Sequence, residues 1–324
     1  MKLAYFMRDE ADIARLAPND ATWFKVSARA DGTYDPSDLA KLSPVEAILV
    51  WSEPITQAVI AAAPRLRIVQ RFGAGYDVLA SVLDLTRERG IWCCNVEGVN
   101  KVPVAEHGML LMLALAHRLD EMQVATRAAR WPRQLRPDIP AFELDGKTLG
   151  IVGLGNTGVE LARRARAFGM HIVYNDIRPI DAATVAALDA RFLEKDALFR
   201  EADVISINTD LNASSRTMID ARALGLMKPS ALLICCARGG IIDEQALREA
   251  LDSGRIAGAG LDVYSPEPIR ADNPLIDARN CVLTPHVAGV VRESLQRSYD
   301  WAHENVRGVL ERGATPRWIV NRAR

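Results

Sequence analysis

The feature that most constrains the fold is a glycine-rich turn between an apolar run and a helical pattern. The run TLGIVGL is followed by glycines at Gly153, Gly155 and Gly158 and then by the helical pattern VELARRARAFG. This order predicts a strand, a G-x-G-x-x-G turn and a helix of a parallel α/β sheet. The first glycine permits the tight turn, the second lets backbone approach a pyrophosphate, and the third lets the helix pack closely on the strand.

An acidic residue stands where such a unit needs one. Asp176 follows the next apolar run, HIVYN, eighteen residues after Gly158. A carboxylate there accepts hydrogen bonds from the hydroxyls of an adenosine ribose and repels a 2′-phosphate, while the helix N-terminus favours the phosphates. The spacing predicts an NAD site, with NAD favoured over NADP. The neighbouring Arg178 is either a cation that softens this preference or an unspecific surface residue.

Short apolar runs alternate with longer helical patterns along the chain. Ten runs are predicted as strands: KLAYF, EAILVWS, LRIVQRF, IWCCN, TLGIVGL, HIVYND, DVISINT, ALLICCA, AGLDVY and CVLTP. Their continuous apolar character predicts an α/β fold with two doubly wound parallel sheets covered on both faces. A length of 324 residues predicts about two domains.

Helical patterns mark the organisation of the chain. A long pattern from Val102 to Arg130 separates the first four predicted strands from the last six, and a proline-rich loop, WPRQLRPDIP, follows it. The last pattern runs from Glu293 to Gly313, with Gly313 as the predicted C-cap.

Composition excludes several classes of partner. Forty basic and forty-one acidic residues leave a net charge of -1, and no basic run predicts binding to nucleic acid or a membrane surface. The apolar run GMLLMLALA is too short to span a membrane, and the N-terminus does not resemble a signal peptide. We therefore expect a cytoplasmic protein with a small-molecule partner. Five cysteines without a C-x-x-C pattern predict neither a metal site nor a redox dithiol.

Three side chains suited to one reaction follow predicted strands in the second half of the chain. They are Arg238 after ALLICCA, Glu267 after AGLDVY and His286 after CVLTP. Open α/β sheets bind ligands at these strand ends. Hydride transfer also moves a proton, which histidine can carry near neutral pH. A guanidinium binds a carboxylate and polarises a carbonyl, and a carboxylate fixes the tautomer of a histidine. Taken singly, each residue is equally compatible with a surface or turn position.

Taken together, these motifs resemble the D-isomer-specific 2-hydroxyacid dehydrogenase family. The resemblance extends from around Ala47 to Gly289 through RFGAGYD, GVNKVPVAEHGMLLMLAL, ELDGKTLGIVGLGNTG, ARGGIIDEQAL, AGAGLDVYSPEP and NPLIDARNCVLTPHVAG. It implies two Rossmann-like domains with the active site in a cleft between them. Residues 1–99 and 290–324 would form a flavodoxin-like substrate-binding domain, and residues 100–289 would bind NAD.

The resemblance also implies hinges and an oligomeric state. The hinges would lie near Val99 and Ala288. The family is usually homodimeric through the NAD-binding domain, with contributions from the long helix and the segment around Trp131.

Roles for individual residues follow from the same resemblance. Arg238 would bind the carboxylate and carbonyl of a 2-oxo acid, His286 would transfer the proton, and Glu267 would support His286. The N–H groups of Ala74 and Gly75 would receive the substrate carboxylate. The implied cofactor contacts are Gly153, Gly155, Asn156, Thr157, Gly158, Asp176, Asp210, Ala237 and Asp262, the last at the nicotinamide carboxamide.

The chain departs from the family's pattern in several places. The usual N-T-A-R-G is replaced by C-C-A-R-G, and the frequent H-x-P-L-T-P-E-T by NTDLNASS, so we expect a different wall on the adenine side. Trp51 stands where phosphoglycerate enzymes often carry arginine, although Arg71 matches another of their cations. Trp51 is either a packing residue or part of an apolar pocket for the substrate side chain. The adjacent Cys235 and Cys236 are either buried thiols or, because a nearby arginine can lower a thiol pKa, an oxidation-sensitive pair.

The predicted function is interconversion of a D-2-hydroxy acid and its 2-oxo acid with NAD. Formate dehydrogenases share the fold but place glutamine where Glu267 stands, and phosphite dehydrogenases carry lysine where Ala74 stands. The alternative from another class is an NAD(H)-sensing binding protein, similar to transcriptional corepressors that resemble this family and retain the same three residues. The absence of a basic patch counts against that alternative.

Overall fold

The computed structural model describes residues 1–7, 13–14, 17–131 and 141–322. The chain forms two compact units, one of Met1–Asn100 with Arg292–Arg324 and the other of Lys101–Val291. Most of the predicted proline-rich loop, residues 132–140, lies outside the described residues. No helix in the described ranges combines the length and the apolar character needed to cross a membrane.

The first unit contains a five-stranded parallel sheet in the order β2-β1-β3-β4-β5, which is the flavodoxin-like strand order. The strands are β1 (Lys2–Phe6), β2 (Thr22–Val26), β3 (Ala47–Val50), β4 (Ile68–Arg71) and β5 (Trp92–Cys94). The helices between them are α1 (Pro36–Ala40), α2 (Gln57–Ala62), a 3₁₀ helix (Asp77–Val82) and α3 (Leu83–Glu88).

Both faces of this sheet are covered by apolar side chains. Ile48 and Val50 of β3 belong to one buried cluster, whereas Leu49 belongs to a second cluster with Val306 and Val309 of the C-terminal helix. Double coverage explains why the central strands carry no alternating polar residues. The predicted C-terminal helix is confirmed at Arg292–Arg312, and the backbone turns left-handed just after it, at Gly313 (φ 62°).

The second unit contains a seven-stranded parallel sheet in the order β12-β11-β10-β9-β6-β7-β8. Its strands are β6 (Thr148–Val152), β7 (His171–Asn175), β8 (Ala190–Phe192), β9 (Val204–Ile207), β10 (Leu232–Cys235), β11 (Gly258–Leu261) and β12 (Cys281–Leu283). Counted within the unit, this is the 3-2-1-4-5-6 order of dinucleotide-binding sheets with one more strand. The strand order reverses between β6 and β9, so a crevice opens at the carboxyl end of β6.

The helices of the second unit cover both faces of its sheet. They are α4 (Lys101–Ala116), α5 (Leu119–Arg127), α6 (Asn156–Ala167), α7 (Ala182–Leu188), α8 (Lys195–Glu201), α9 (Ala221–Leu226) and α10 (Glu244–Asp252). The C-terminal helix of the first unit, Arg292–Arg312, completes the series as α11.

Two features differ from the sequence prediction. The edge strands β2 and β8 were not predicted, because most of their residues are partly or fully exposed and they lack a continuous apolar run. The long helical pattern is divided into α4 and α5, since Arg118 adopts a left-handed conformation (φ 55°). The Arg118 guanidinium is buried in an ion pair with Glu121. The sequence has no proline or glycine at this point that would predict the end of a helix.

Candidate active site

The three glycines of the turn after β6 are in distinct surroundings. Gly153 has φ 93°, and a Cβ there would lie 2.7 Å from the carbonyl oxygen of Asn208. A Cβ on Gly158 would lie 2.3 Å from the oxygen of Gly153. The fold itself therefore requires both glycines. Above Gly155 the space is open, because the nearest atom to its Cβ position is Nη2 of Arg178 at 3.7 Å.

The open space at Gly155 lies at the start of a helix. Gly155 is the N-cap of α6, and Asn156 and Thr157 are the first helical residues. The first N–H groups of a helix and its dipole attract an anion, and the missing side chain of Gly155 lets the anion come close. The turn therefore has the room and the polarity that a pyrophosphate needs.

Asp176 follows β7 directly and its side chain is 5 % exposed. One carboxylate oxygen accepts a hydrogen bond from Leu154 N and the other from Arg178 N, each at 2.9 Å. The Arg178 Nε lies 3.7 Å from the carboxylate. These contacts attach the carboxylate to the glycine turn and leave two lone-pair directions for further acceptance.

Two other predicted cofactor residues also follow strands of this sheet. Asp210 comes after β9, and its carbonyl oxygen accepts a hydrogen bond from Ser215 Oγ at 2.6 Å. Ala237 comes after β10, and its carbonyl oxygen accepts one from Arg238 Nη1 at 2.6 Å. Both residues lie at the same carboxyl edge as the glycine turn, because all strands of the sheet are parallel.

Glu267 and His286 are in direct contact. His286 Nδ1 lies 2.6 Å from Glu267 Oε2, and the other oxygen of Glu267 accepts a hydrogen bond from Tyr264 N at 3.0 Å. Burial acts to raise the pKa of Glu267, but the hydrogen bonds with His286 and Tyr264 and the nearby charges of His286 and Arg238 outweigh it, so the pKa lies below its ordinary value. The pair therefore combines a carboxylate with a partly exposed imidazole.

Arg238 is held in the loop after β10 by the close approach of another loop. Its neighbour Gly239 lies against the backbone of Tyr264, so a Cβ on Gly239 would be only 1.7 Å from the Tyr264 oxygen. Tyr264 also donates its N–H to Glu267. Backbone packing thus joins the loop that carries Arg238 to the loop that carries Glu267.

Asp262 anchors the segment that contains His286. It is fully buried, and its carboxylate accepts hydrogen bonds from Val287 N at 2.9 Å and Ala288 N at 2.8 Å. Thr284 Oγ1 donates to the same carboxylate at 2.6 Å. His286, between these residues, has the uncommon φ of 53°. The direct contact of Asp262 with a carboxamide stays a prediction, whereas its structural contacts hold the histidine loop in place.

Sequence reasoning missed two residues of this network. His107 Nε2 lies 2.9 Å from Thr284 Oγ1 and 3.7 Å from Asp262. A histidine within a helical pattern, as His107 is, is interpreted from sequence as structural or exposed. Only its place on α4, one of the two described helices between the last strand of the first unit and the glycine strand β6, could have suggested a link to Thr284 across a separation of 177 residues.

Ala74 and Gly75 belong to the first unit and follow β4. Among the described residues, neither N–H group donates a hydrogen bond to another part of the protein. The Arg71 guanidinium donates to the carbonyl oxygens of Gly75 and Trp51. Asn95 Nδ2 donates to the carbonyl oxygen of Ala74 at 2.5 Å. The loop is thus held through its carbonyl groups and presents successive N–H groups, an arrangement that suits an anion.

The adjacent cysteines do not form a low-pKa pair. Burial raises the pKa of Cys235 to about 11 despite hydrogen bonds and the nearby charge of Arg238. Burial likewise raises the pKa of Cys236 well above its ordinary value. The interpretation of an activated thiol was therefore wrong, since the loss of hydration outweighs the arginine. Within the described ranges, no group of three or more His, Cys, Asp or Glu residues is suited to hold a metal ion.

A parallel sheet of this strand order, with its glycine turn at the reversal point and an acidic residue after the second strand, defines a dinucleotide-binding protein. Residues 109–288 match the family model "D-isomer specific 2-hydroxyacid dehydrogenase, NAD binding domain". The chain belongs to the D-isomer-specific 2-hydroxyacid dehydrogenase family. It is a dehydrogenase of this class with an NAD-binding domain.

Individual relatives support this assignment. The chain is 38 % identical over 276 residues to a glyoxylate reductase from Korarchaeum cryptofilum, an alignment that covers 85 % of this chain and 82 % of that protein. It is 31 % identical over 321 residues to a hydroxypyruvate reductase from Blautia hydrogenotrophica, with coverage of 95 % and 97 %. A solved NADPH-dependent glyoxylate/hydroxypyruvate reductase from Sinorhizobium meliloti, in complex with NADP and malonate, is 27 % identical with a TM-score of 0.85 and coverage of 98 % and 96 %.

Proposed function

We propose that this protein interconverts an unphosphorylated D-2-hydroxy acid and its 2-oxo acid, with His286 as the acid-base residue. The observation that supports this most directly is the 2.6 Å contact between His286 Nδ1 and Glu267 Oε2. It occurs at the carboxyl edge of a dinucleotide-binding sheet, in a loop joined to the one that carries Arg238. His286, its carboxylate partner Glu267 and the guanidinium of Arg238 thus all follow strands at the carboxyl edge of the same sheet.

In the reductive direction, Glu267 accepts the hydrogen bond from Nδ1 and stabilises the protonated imidazole. The Nε2–H group then donates its proton to the carbonyl oxygen of the 2-oxo acid. Arg238 stabilises the negative charge that develops on that oxygen. NADH, when bound, would supply a hydride to the carbonyl carbon. Oxidation reverses each step, and neutral His286 accepts the hydroxyl proton.

In the first unit, the proposed partners of the substrate carboxylate are the N–H groups of Ala74 and Gly75. In the second unit, the proposed partner of the substrate carboxylate and carbonyl is Arg238. The two N–H groups make no other hydrogen bond among the described residues, and successive N–H groups form a concave site for an anion. A planar guanidinium can bind a carboxylate through two parallel hydrogen bonds. Each of these groups therefore suits the carboxylate that all 2-oxo acids share.

The surroundings of Trp51 and Arg71 favour a substrate without a phosphate. Trp51 follows β3 and packs against Phe72 and Tyr299, with ring centroids 6.0 Å away from each. The Arg71 guanidinium already donates to two backbone carbonyl groups, which reduces its capacity to bind a phosphate. Glyoxylate and hydroxypyruvate, the substrates in the names of two of the relatives described above, are therefore better candidates than phosphohydroxypyruvate.

We further propose a homodimer formed through the second unit. Four large apolar side chains between residues 110 and 131 are at least half exposed: Leu110, Leu119, Val124 and Trp131. A second copy of the chain would remove this apolar surface from water. Light scattering coupled to size-exclusion chromatography measures the mass of the protein in solution and so tests for the homodimer. Val124→Lys should shift it toward the monomer, whereas Phe192→Lys, a change at an exposed site on β8, should leave it unchanged.

The activity test is NADH consumption with a panel of 2-oxo acids: glyoxylate, pyruvate, hydroxypyruvate, phenylpyruvate, 2-oxoisocaproate and phosphohydroxypyruvate. Loss of general acid catalysis in His286→Ala should lower kcat by roughly 10³. His171→Ala, at an exposed position at the start of β7, is the matched control and should retain activity. Tight NADH binding without turnover of any compound would contradict the enzyme and favour the NAD(H)-sensing protein.

A further inference from the structure

Three buried amide side chains form a network beneath the loop at residues 72–75 of the first unit. They are Gln70 in β4, Asn95 after β5 and Asn305 in α11, and none is more than 6 % exposed. Asn305 Nδ2 donates to Gln70 Oε1 at 2.8 Å. Gln70 Nε2 donates to the carbonyl oxygens of Arg71 at 2.8 Å and Asn95 at 2.9 Å.

Asn95 connects this network to the loop. Its Nδ2 donates to the carbonyl oxygen of Ala74 at 2.5 Å. The next residue, Val96, donates its N–H to the carbonyl oxygen of Gly73 at 3.3 Å. The carbonyl groups of Gly73 and Ala74 are therefore both held by the segment that follows β5.

Holding these carbonyl groups also sets the direction of two N–H groups. The C=O and N–H of one trans peptide unit lie in a plane and point in opposite directions. The carbonyl of Gly73 shares its peptide unit with Ala74 N–H, and the carbonyl of Ala74 shares its unit with Gly75 N–H. Because both carbonyl groups point toward Asn95 and Val96, both N–H groups point away from them, toward the other side of the loop.

The buried Asn95 side chain is not fully satisfied. Its Oδ1 is buried, and within the described ranges it accepts no hydrogen bond. Leaving such an atom without a partner is unfavourable for folding. The opposite amide orientation would place Oδ1 against the oxygen of Ala74, so the donation from Nδ2 determines the orientation of the group. In the orientation that holds the carbonyl group of Ala74, the Asn95 side chain therefore lacks a hydrogen bond to its oxygen.

We propose that Asn95 is a positioning residue that aims the Ala74 and Gly75 N–H groups at the substrate carboxylate, with Gln70 and Asn305 holding Asn95 in register. This inference rests on the proposed function. Asn305 also bonds the backbone of Arg317, donating to its oxygen at 2.9 Å and accepting from its nitrogen at 2.7 Å. The C-terminal segment thus contributes to the same support.

The test compares Asn95→Asp with Asn321→Asp. The first change preserves the shape of the side chain but removes the donor to Ala74. Asn321 is a matched control, because it is 4 % exposed in the same unit and its amide bonds Thr86, Ile91 and Cys93 instead of the loop. Asn95→Ala repeats the comparison, against Asn321→Ala, if either aspartate variant fails to fold.

Two readouts separate this inference from the proposed function. Steady-state kinetics should show KM for the 2-oxo acid raised roughly tenfold in Asn95→Asp, with kcat and the Kd of NADH changed much less. Hydrogen exchange in the protein without substrate should be faster at Val96, whose N–H donates to the carbonyl oxygen of Gly73, than in the Asn321 variant. Faster exchange in a protein that reduces no 2-oxo acid would support the positioning and reject the function. Exchange and KM equal to those of the control, or a fall in kcat alone, would overturn the positioning role.

Discussion

Gly239 lies so close to the backbone of Tyr264 that a Cβ on the glycine would be 1.7 Å from the tyrosine carbonyl oxygen. Gly239→Ala must therefore separate the loops that carry Arg238 and Glu267. We expect the free energy of unfolding to fall by roughly 3 kcal/mol and activity to fall with it. Urea denaturation measures the first effect, and NADH consumption measures the second.

Gly225→Ala is the control for this change. Gly225 lies in α9, and nothing is within 4 Å of its Cβ position, so alanine should stabilise the helix by about 0.5–1 kcal/mol. Equal stability of the two variants would show that the approach of Gly239 to Tyr264 leaves room for a methyl group.

The glycine turn offers a prediction that separates binding from folding. Gly158→Ala should destabilise the protein, because its Cβ would lie 2.3 Å from the Gly153 oxygen. Gly155→Ala should leave the melting temperature nearly unchanged, since no atom is closer than 3.7 Å, but its methyl group would occupy space proposed for the pyrophosphate. We expect the Kd of NADH to rise at least roughly tenfold, about 1.4 kcal/mol, by fluorescence titration. Unchanged NADH affinity in Gly155→Ala would argue against cofactor binding at this turn.

Asp176 should control the choice between the two nicotinamide dinucleotides. Its carboxylate repels a 2′-phosphate, while Arg178 Nε, 3.7 Å away, could pair with one. Asp176→Ser should therefore raise the ratio of kcat/KM for NADPH to that for NADH by roughly tenfold or more. Adding Arg178→Ala to this variant should return the ratio of kcat/KM for NADPH to that for NADH most of the way to its original value. A ratio that does not respond to either change would place the discriminating residue elsewhere.

Asp203 makes the stability of the second unit depend on acid pH. Burial acts to raise its pKa, but hydrogen bonds with Lys228 and Thr148 N outweigh burial and place the pKa below the ordinary 3.8. Because the folded-state pKa is the lower one, this contribution is complete above the unfolded value and is lost as the pH falls through the folded value. Asp203→Asn should cost about 1 kcal/mol at pH 7 and progressively less below about pH 4.

The control for Asp203 is another aspartate of an ion pair. Asp84 pairs with Arg87 but its side chain is 81 % exposed, so Asp84→Asn should change the stability very little at any pH. Denaturation at a series of pH values measures both variants. A cost of Asp203→Asn that grows as the pH falls would contradict a lowered folded-state pKa.

The cysteines should be inert in the folded protein. Burial raises the pKa of Cys93 and Cys235 to about 11 and that of Cys281 to about 12, and it raises the pKa of Cys94 and Cys236 as well. Thiolate is the reactive form, so labelling with a thiol reagent at about pH 8 should be slow until urea unfolds the chain. Activity should survive peroxide and thiol blocking. Rapid inactivation that Cys236→Ser prevents would restore the redox interpretation.

Much of the fold and the candidate site follows from the sequence because buried parallel strands have continuous apolar runs. Those runs located ten of the twelve strands described, and they placed Arg238, Glu267 and His286 after strand ends. The contact between His286 and Glu267 was implied by the family resemblance, and the structure shows it at 2.6 Å. The edge strands β2 and β8 were missed because exposed strands need no apolar run.

Other features depend on contacts between residues far apart in the chain. The link between His107 and Thr284 spans 177 residues, and the link between Gln70 and Asn305 spans 235. No local pattern distinguishes an asparagine that supports a loop from one on the surface. The thiol pKa values also depend on burial by the complete fold, which is why the neighbouring Arg238 was a misleading signal for Cys235.

The first unit is built from two segments that the second unit separates in sequence, and this order matters during protein synthesis. Residues 1–100 leave the ribosome before the second unit, but α11, which covers one face of their sheet, is made after it. The second unit is continuous, so it can fold as soon as residue 291 has emerged, while the apolar face of β3 and the amides of Gln70 and Asn95 still wait for their partners. Throughout synthesis of the second unit, residues 1–100 are therefore the part of the nascent chain that most needs a chaperone.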